Sequence, residues 1–387
     1  GTGEGIEEGS VIADIPWDLI VKPKNYSDDR FFSCEAHFEM YRQFLLGDES
    51  PHAPYINYLK NQPRGRLINE WTTAGKRLLA DILNHAHPFD EDEDGNGLPP
   101  QAFLKDYEEI WVKQCRGEDN ELARAAFYQL TSRDEDTLMV PFYDMHNHSN
   151  DLKKLNTITS KPASKGKPFL MHSIKDIAPG EQILISYNRC HSGWADATYE
   201  DCASYSYYGT SQLFDIFGFV EDLPQLWSFR MDVGDGTRDD RMWDTLTFTL
   251  DASDDDDDED NDGIPFKVTF GDNYSENRND EYPVEENIKY LGDHLVRLRM
   301  LETTMKEDDE LMQTIPRYEW DMAWRYHEAL VTAMSAAILA SDFAEDGDGD
   351  AFGSEGKVDS RGLDSDDDDD DDDSEDDSED EDSRDEL

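Results

Sequence analysis

Basic residues are scarce in this chain. Lys and Arg number 35 against 91 Asp and Glu, a formal net charge of −56. Such a surface repels a phosphate backbone, so direct nucleic-acid binding is not expected. It favours basic proteins, peptides or divalent cations. Long apolar runs are also missing. No stretch reaches the roughly 18 apolar residues that a spanning helix needs, so no membrane segment is expected. No apolar leader stands at the N-terminus, and the start at Gly1 gives the expectation of a missing or removed N-terminal piece. Cysteine is rare: Cys34, Cys115, Cys190 and Cys202 are too few for a disulfide scaffold. Cys190 and Cys202 can pair if the chain is lumenal; free thiols are the plainer expectation.

Much of the charge is concentrated at one end. From Asp342 to Leu387 there are 25 acidic and 3 basic residues, so −22 of the charge sits there and −34 on the first 341 residues. Segment 342–387 holds little but Asp, Ser and Glu. It cannot bury enough apolar surface to offset its ordering entropy and is expected to be a disordered tail.

The remainder is patterned. Residues 10–23 ("SVIADIPWDLIVKP") alternate and read as strand, turn, strand. Residues 35–48, 68–86, 99–115 and 120–133 carry apolar residues at helical spacing. Short β-type runs follow in "TLMVPFYDM", "PFLMHSIKDI" and "EQILISYN". "MWDTLTFTL" and "IPFKVTFGD" read as a hairpin whose loop is the Asp-rich segment 251–262. Residues 284–302 and 317–340 are strongly helical. The expected fold class is α+β. A mixed domain over 1–225 carries a helical insertion at about 35–130, and a mostly helical lobe follows over 226–341.

Several clusters invite a metal and fall short. "DEDEDGNG" (90–97) opens like a calcium loop, but its twelfth position is Gln101 rather than a bidentate glutamate. "DGDGD" (346–350) has Ala351 at its sixth position. His85 and His87, or Cys190, His191 and Cys202, do not complete a zinc set. In "DMHNHSND" (144–151), His146 and His148 point to one side of a strand, with no further ligand signalled nearby. No metal is expected.

That last stretch has a partner. "D-x-x-N-H-S" is followed some 30 residues on by "IAPGEQILISYN" (177–188). Together they resemble the SET-domain protein methyltransferases, in particular the subgroup similar to the Rubisco large-subunit lysine methyltransferase. "GIEEGSVIADIPWDLIV" (5–21), "DESPHAPYINYL" (48–59), "TSR" (131–133) and "LFDIFGFVEDLP" (213–224) resemble further motifs of that subgroup, in the same order. The resemblance covers roughly residues 5–340.

It implies a fold of small twisted sheets with a helical insertion, a C-terminal segment threaded under a loop, and a helical substrate-binding lobe. It implies S-adenosylmethionine as cofactor, contacted by Asn147 and His148 with help from Arg133, while Ser149 and Asp144 support the turn. Tyr187 of "ISY" would line a lysine channel. Three departures stand out. The family's N-terminal glycine loop is not matched by Gly1 and Gly3, which lie too close to Gly9. Phe217 occupies the position of a family tyrosine. Residues 189–208 read as an insertion, in which Tyr207 or Tyr208 is a candidate replacement hydroxyl.

The expected function is methyl transfer to lysine of a basic protein segment, slow or altered because of Phe217. The alternative is a weak or inactive SET-like scaffold that binds basic partners through its acidic lobe and tail. For location, the ending "RDEL" matches endoplasmic-reticulum retrieval signals. Asn25 and Asn273 lie in N-x-S sequons. A cytoplasmic or nuclear protein with a chance ending is the other reading.

Overall fold

The computed structural model describes residues 5–24, 26, 34–84, 97–100, 107–134, 137–151, 153–159, 166–187, 209–232, 243–252, 266–271, 285–306 and 308–346. Gly1, Gly3, Asn25, His85, His87, the 90–96 acidic loop, Cys190, His191, Cys202, Tyr207, Tyr208, Asn273 and the tail from 347 lie outside them. The architecture is α+β. One compact unit runs over Gly1–Glu345; of the second, Asp346–Leu387, only Asp346 is described.

Alternating burial builds the first sheet. Strand β4 (Phe169–Ser173) buries Phe169, Met171 and Ser173 and pairs antiparallel with β1 (Val11–Ile15) on one side and β3 (Thr157–Thr159) on the other. Two very short strands form a second, parallel sheet: β2 (Asn147–His148) pairs Asn147 with Leu184 and His148 with Ile185 of β5 (Leu184–Ile185). Ile15, Ile20, Leu138, Val140, Tyr143, Phe169, Met171 and Ile185 form the core beneath both.

Helices α1 (Cys34–Leu46), α2 (Ala53–Lys60) and α4 (Glu121–Thr131) make a second core around Met40, Phe44, Ile56, Trp111 and Phe127. Helix α4 starts where Asn120 caps it, its side chain accepting the Ala123 N–H at 2.9 Å. The expected 99–115 helix differs. Its described part is a π-helical turn at Glu108–Gln114, which buries Trp111 so that its indole N–H donates to the Glu118 carbonyl at 2.7 Å. Cys34 and Cys115 are joined in a disulfide closing 81 residues of sequence. The pairing weighed from sequence, Cys190 with Cys202, lies outside the described residues.

The third core links distant segments. Helix α3 (Thr73–Leu83) begins later than its apolar spacing suggests, because Thr72 caps it and residues 68–70 form a tighter turn. Its apolar face packs with α8 (Arg317–Asp346), α6 (Glu285–Met305) and the sheet β6 (Gln225–Asp232), β7 (Trp243–Ala252), β8 (Phe266–Phe270). Between α6 and α8 stands α7 (Asp309–Thr314). The β7–β8 hairpin matches the sequence reading, whereas β6 was not anticipated. Helix α8 buries Trp320, Ala323, Trp324, Leu330, Ala333, Met334 and Ala337, a stripe at helical spacing. Among the described residues no helix is long and apolar enough to cross a membrane.

Candidate active site

The β2–β5 pair is pinned from outside the strands. Fully buried Asn156 accepts the Leu184 N–H with its side-chain oxygen at 2.8 Å and donates to the Gln182 carbonyl at 2.8 Å. The Ser149 N–H donates to the Ile185 carbonyl at 3.1 Å. This register brings the two quoted motifs into contact. The Tyr187 backbone N–H donates to Nδ1 of His148 at 2.9 Å, and the Tyr187 hydroxyl donates to the His146 carbonyl at 2.7 Å. Because Nδ1 accepts, the neutral imidazole carries its proton on Nε2 and donates to Asn150 Oδ1 at 2.9 Å. Burial pushes the His148 ring down to about 4, so it is neutral at physiological pH. The buried His146 ring donates Nδ1–H to the Tyr143 carbonyl and meets Phe142 edge-on.

An aromatic wall closes one side. Tyr187 lies 4.7 Å from Phe217 and 5.0 Å from His148 between ring centres. Phe219 stands 6.2 Å from both Tyr187 and His148. Phe217 ends helix α5 (Thr210–Phe217), and Gly218 turns the chain with φ +73°. A Cβ there would sit 2.3 Å from the Arg66 carbonyl oxygen, so only glycine lets both phenylalanines reach the site. Burial pushes the Tyr187 phenol up to about 12.

Two carboxyl groups lie behind this wall. The Asp144 side chain is fully enclosed and accepts from Arg133 Nη1 at 3.3 Å, while the same nitrogen donates to the Asp144 carbonyl at 3.0 Å. Burial raises Asp144 to about 6, against the opposing pull of Arg133 and Tyr55. Glu221, 6 % exposed, accepts from the Thr210 hydroxyl at 2.6 Å and from Asn150 Nδ2 at 3.3 Å, both on Oε1. Its Oε2 is buried with no hydrogen-bond partner among the described residues. Burial raises Glu221 to about 7.

These groups surround one cavity of about 700 Å³, lined by Arg133, Asp144, Asn147, His148, Tyr187, Phe217, Phe219 and Glu221 among others. Of the residues singled out in the sequence, Asn147, His148, Arg133, Tyr187 and Phe217 converge here; Tyr208 is outside the described residues. Arg133 reaches the cavity while paired to Asp144, and Asn147 is exposed at its edge. Sequence reasoning passed over Asn150, Asn156, Phe219 and Glu221. The one available signal was a carboxylate closing the apolar run "FGFVE". Among the described residues no group of three or more His, Cys, Asp or Glu is placed to hold a metal.

Residues 2–188 match the SET domain family. No curated protein matches the chain. Among solved structures the chain is similar to the SET domain of LSMT, in a crystal structure of that domain bound to lysine and AdoHcy. Identity is 14 % and the TM-score 0.49, over 89 % of this chain and 84 % of that one. The two quoted motifs and the short strands that join them fall inside the segment that matches the SET domain family, and the chain has a SET-type fold there.

Proposed function

We propose that this chain transfers a methyl group from S-adenosylmethionine to a lysine amine in a basic protein segment. The observation that carries the reading is the convergence of Asn147, His148, Tyr187 and Phe217 on one cavity of a SET domain. The cavity fits such a cofactor. Its volume of about 700 Å³ lies within the range of small-molecule sites. The unpartnered Oε2 of Glu221 suits a ligand that carries positive charge. Asn147 and His148 would hold the cofactor, with Arg133 bracing the turn through Asp144. When bound, S-adenosylmethionine supplies an electrophilic methyl on a sulfonium.

The protein's part is alignment. The Tyr187 hydroxyl spends its proton on the His146 carbonyl, so its oxygen faces a substrate as an acceptor. An amine N–H donated to that oxygen is fixed in direction. With its phenol pushed up to about 12, Tyr187 stays neutral and positions the amine rather than deprotonating it. A free lysine titrates near 10.4. Enclosure by Tyr187, Phe217 and Phe219 disfavours its ammonium form by desolvation. Incubating full-length protein with labelled S-adenosylmethionine and proteome extract should place label on lysine. Label on another residue type, or on none, overturns the reading.

A second reading rests on Phe217. It keeps the wall and lacks the hydroxyl of the family tyrosine, a loss of about 0.5–1.5 kcal/mol for one hydrogen bond. A weak or inactive scaffold that binds basic partners through its acidic surface is the outcome if cofactor binds and no label transfers.

For location we propose the oxidising lumen of the endoplasmic reticulum. The Cys34–Cys115 disulfide supports it, because such bonds persist outside the cytosol. Tagged protein that stays diffuse in the cytosol would end the idea.

A further inference from the structure

Glu221 takes no part in aligning the amine, yet beyond facing the cavity it is tied to the residues that form it. Its Oε1 accepts from Asn150 Nδ2, the Asn150 oxygen accepts from His148 Nε2–H, and His148 Nδ1 accepts from the Tyr187 N–H. The chain of donors has one direction. Since the Tyr187 amide can only donate, the imidazole must donate through Nε2. The Asn150 oxygen is then committed to His148, and its NH2 group faces the carboxyl. Each partner therefore fixes the next, from α5, where Thr210 holds Glu221, to the end of β5.

We propose that Glu221 is a positioning residue of this site: through Asn150 it sets the orientation of His148, and its protonation state tunes how firmly the cavity holds an adenosyl ligand. The ligand class rests on the cofactor reading above; the link from Glu221 to His148 does not. An ionised carboxylate accepts the Asn150 and Thr210 hydrogens more strongly than a neutral acid does. Burial raises Glu221 to about 7, so the change falls near neutrality. Other groups act around it. From α8, Arg325 favours the ionised form while paired to Asp222 at 3.6 Å. Asp222, beside Glu221 in the chain, opposes it. Tyr326 of α8 feels both Glu221 and Asp215 of α5, and its phenol stays neutral. His148, at about 4, does not titrate near neutrality, while Asp144, at about 6, does. The comparison of Glu221→Gln with wild type cancels the Asp144 contribution, because Asp144 is present in both.

Two measurements on the full chain decide it. The first follows the His148 ring nitrogens by NMR in ligand-free protein from pH 5.5 to 8.5. Wild type should show an inflection near neutrality that Glu221→Gln abolishes. The second is calorimetric binding of S-adenosylhomocysteine at pH 6 and pH 8. Wild type should bind several-fold more tightly at pH 8, with a smaller difference in Glu221→Gln. That variant keeps a carbonyl acceptor, so it should retain the pH 6 affinity, whereas Glu221→Ala should weaken binding at both. A His148 profile identical in wild type and Glu221→Gln overturns the proposal, even if ligand binds. Wild type that binds no S-adenosylhomocysteine overturns the cofactor reading instead, and the His148 profile alone then decides the role of Glu221.

Discussion

At the scale of single residues, the cavity sets a phenol that stays neutral, Tyr187, beside two carboxyls raised toward neutrality. Tyr187→Phe removes the oxygen offered to an amine, and turnover should fall about tenfold, the equivalent of roughly 1.4 kcal/mol, with cofactor affinity nearly unchanged. Phe217→Tyr adds a hydroxyl to a ring whose centre lies 4.7 Å from that of Tyr187, and should change the rate or the number of methyls added. Single-turnover assays with mass spectrometry read both, and a silent Tyr187→Phe would show that the wrong tyrosine has been named. The carboxyls predict a pH dependence of stability. Asp144 and Glu221 are raised from their ordinary values of 3.8 and 4.5 to about 6 and about 7. Between those limits these two groups hold more protons in the folded state than in the unfolded one, so their contribution to stability falls as pH rises, while buried His37 and His148, lowered to about 3 and about 4, contribute the opposite slope below about 6.5. Between pH 4.5 and 7.5 the thermal midpoint of wild type should fall relative to that of Asp144→Asn in the lower part of the range and relative to that of Glu221→Gln in the upper, a comparison in which the histidine contributions cancel. Unchanged slopes in both variants would contradict the assignment. Asn147, His148 and Tyr187 were legible in the sequence because each sits in a short contiguous motif. Glu221 and Asn150 were not, because they meet only after 71 residues of chain fold back.

Elements carry the next layer. Gly218 is the hinge between α5 and the Phe219 turn, with positive φ and a backbone carbonyl against it. Gly218→Ala should cost about 2 kcal/mol or more and displace Phe217 and Phe219 together. Urea unfolding reads the loss, and full stability would refute the close approach. Helix α3 is held at its start by a residue far away. Glu319 of α8 accepts the Thr72 N–H at 3.0 Å and the Thr72 hydroxyl at 2.6 Å, while that hydroxyl caps the Gly75 N–H. Glu319→Ala should destabilise by about 1–3 kcal/mol, and Glu319→Gln by less, because it keeps one acceptor. Equal loss in both would mean that charge, not hydrogen bonding, makes the tie. Periodicity found α1, α4 and α8, and alternation found the β7–β8 hairpin, because apolar spacing and caps are local. It overran the start of α3, since the Thr72 cap competes with continued helix. It missed the π turn, where burying Trp111 decides the geometry, and it missed β6, whose partners follow it in the chain.

At the scale of the whole molecule, one staple and one late helix decide integrity. The Cys34–Cys115 bond closes 81 residues, and chain-entropy reasoning assigns such a loop about 4–5 kcal/mol, with strain able to reduce it. Cys34→Ala with Cys115→Ala should lower the thermal midpoint measurably, and non-reducing peptide mapping should recover the pair from native protein. A midpoint equal to wild type would show that packing of α1 and α4 suffices alone. Ending the chain after Asp346 should leave the midpoint unchanged, because the compact unit closes at Glu345. The staple and the late helix act at different times. Thr72 and Glu319 lie 247 residues apart in sequence. A ribosome adding about 5–20 residues per second takes roughly 12–50 s to cover that span. Throughout that interval the apolar face of α3, with Leu78, Leu79, Ile82 and Leu83, has been made and α8 has not. The nascent chain therefore presents a sticky helix whose cover of sheet β6–β8, α6 and α8 is completed only when α8 has been made, and its yield in a cell should depend on chaperones that shield apolar surface during synthesis.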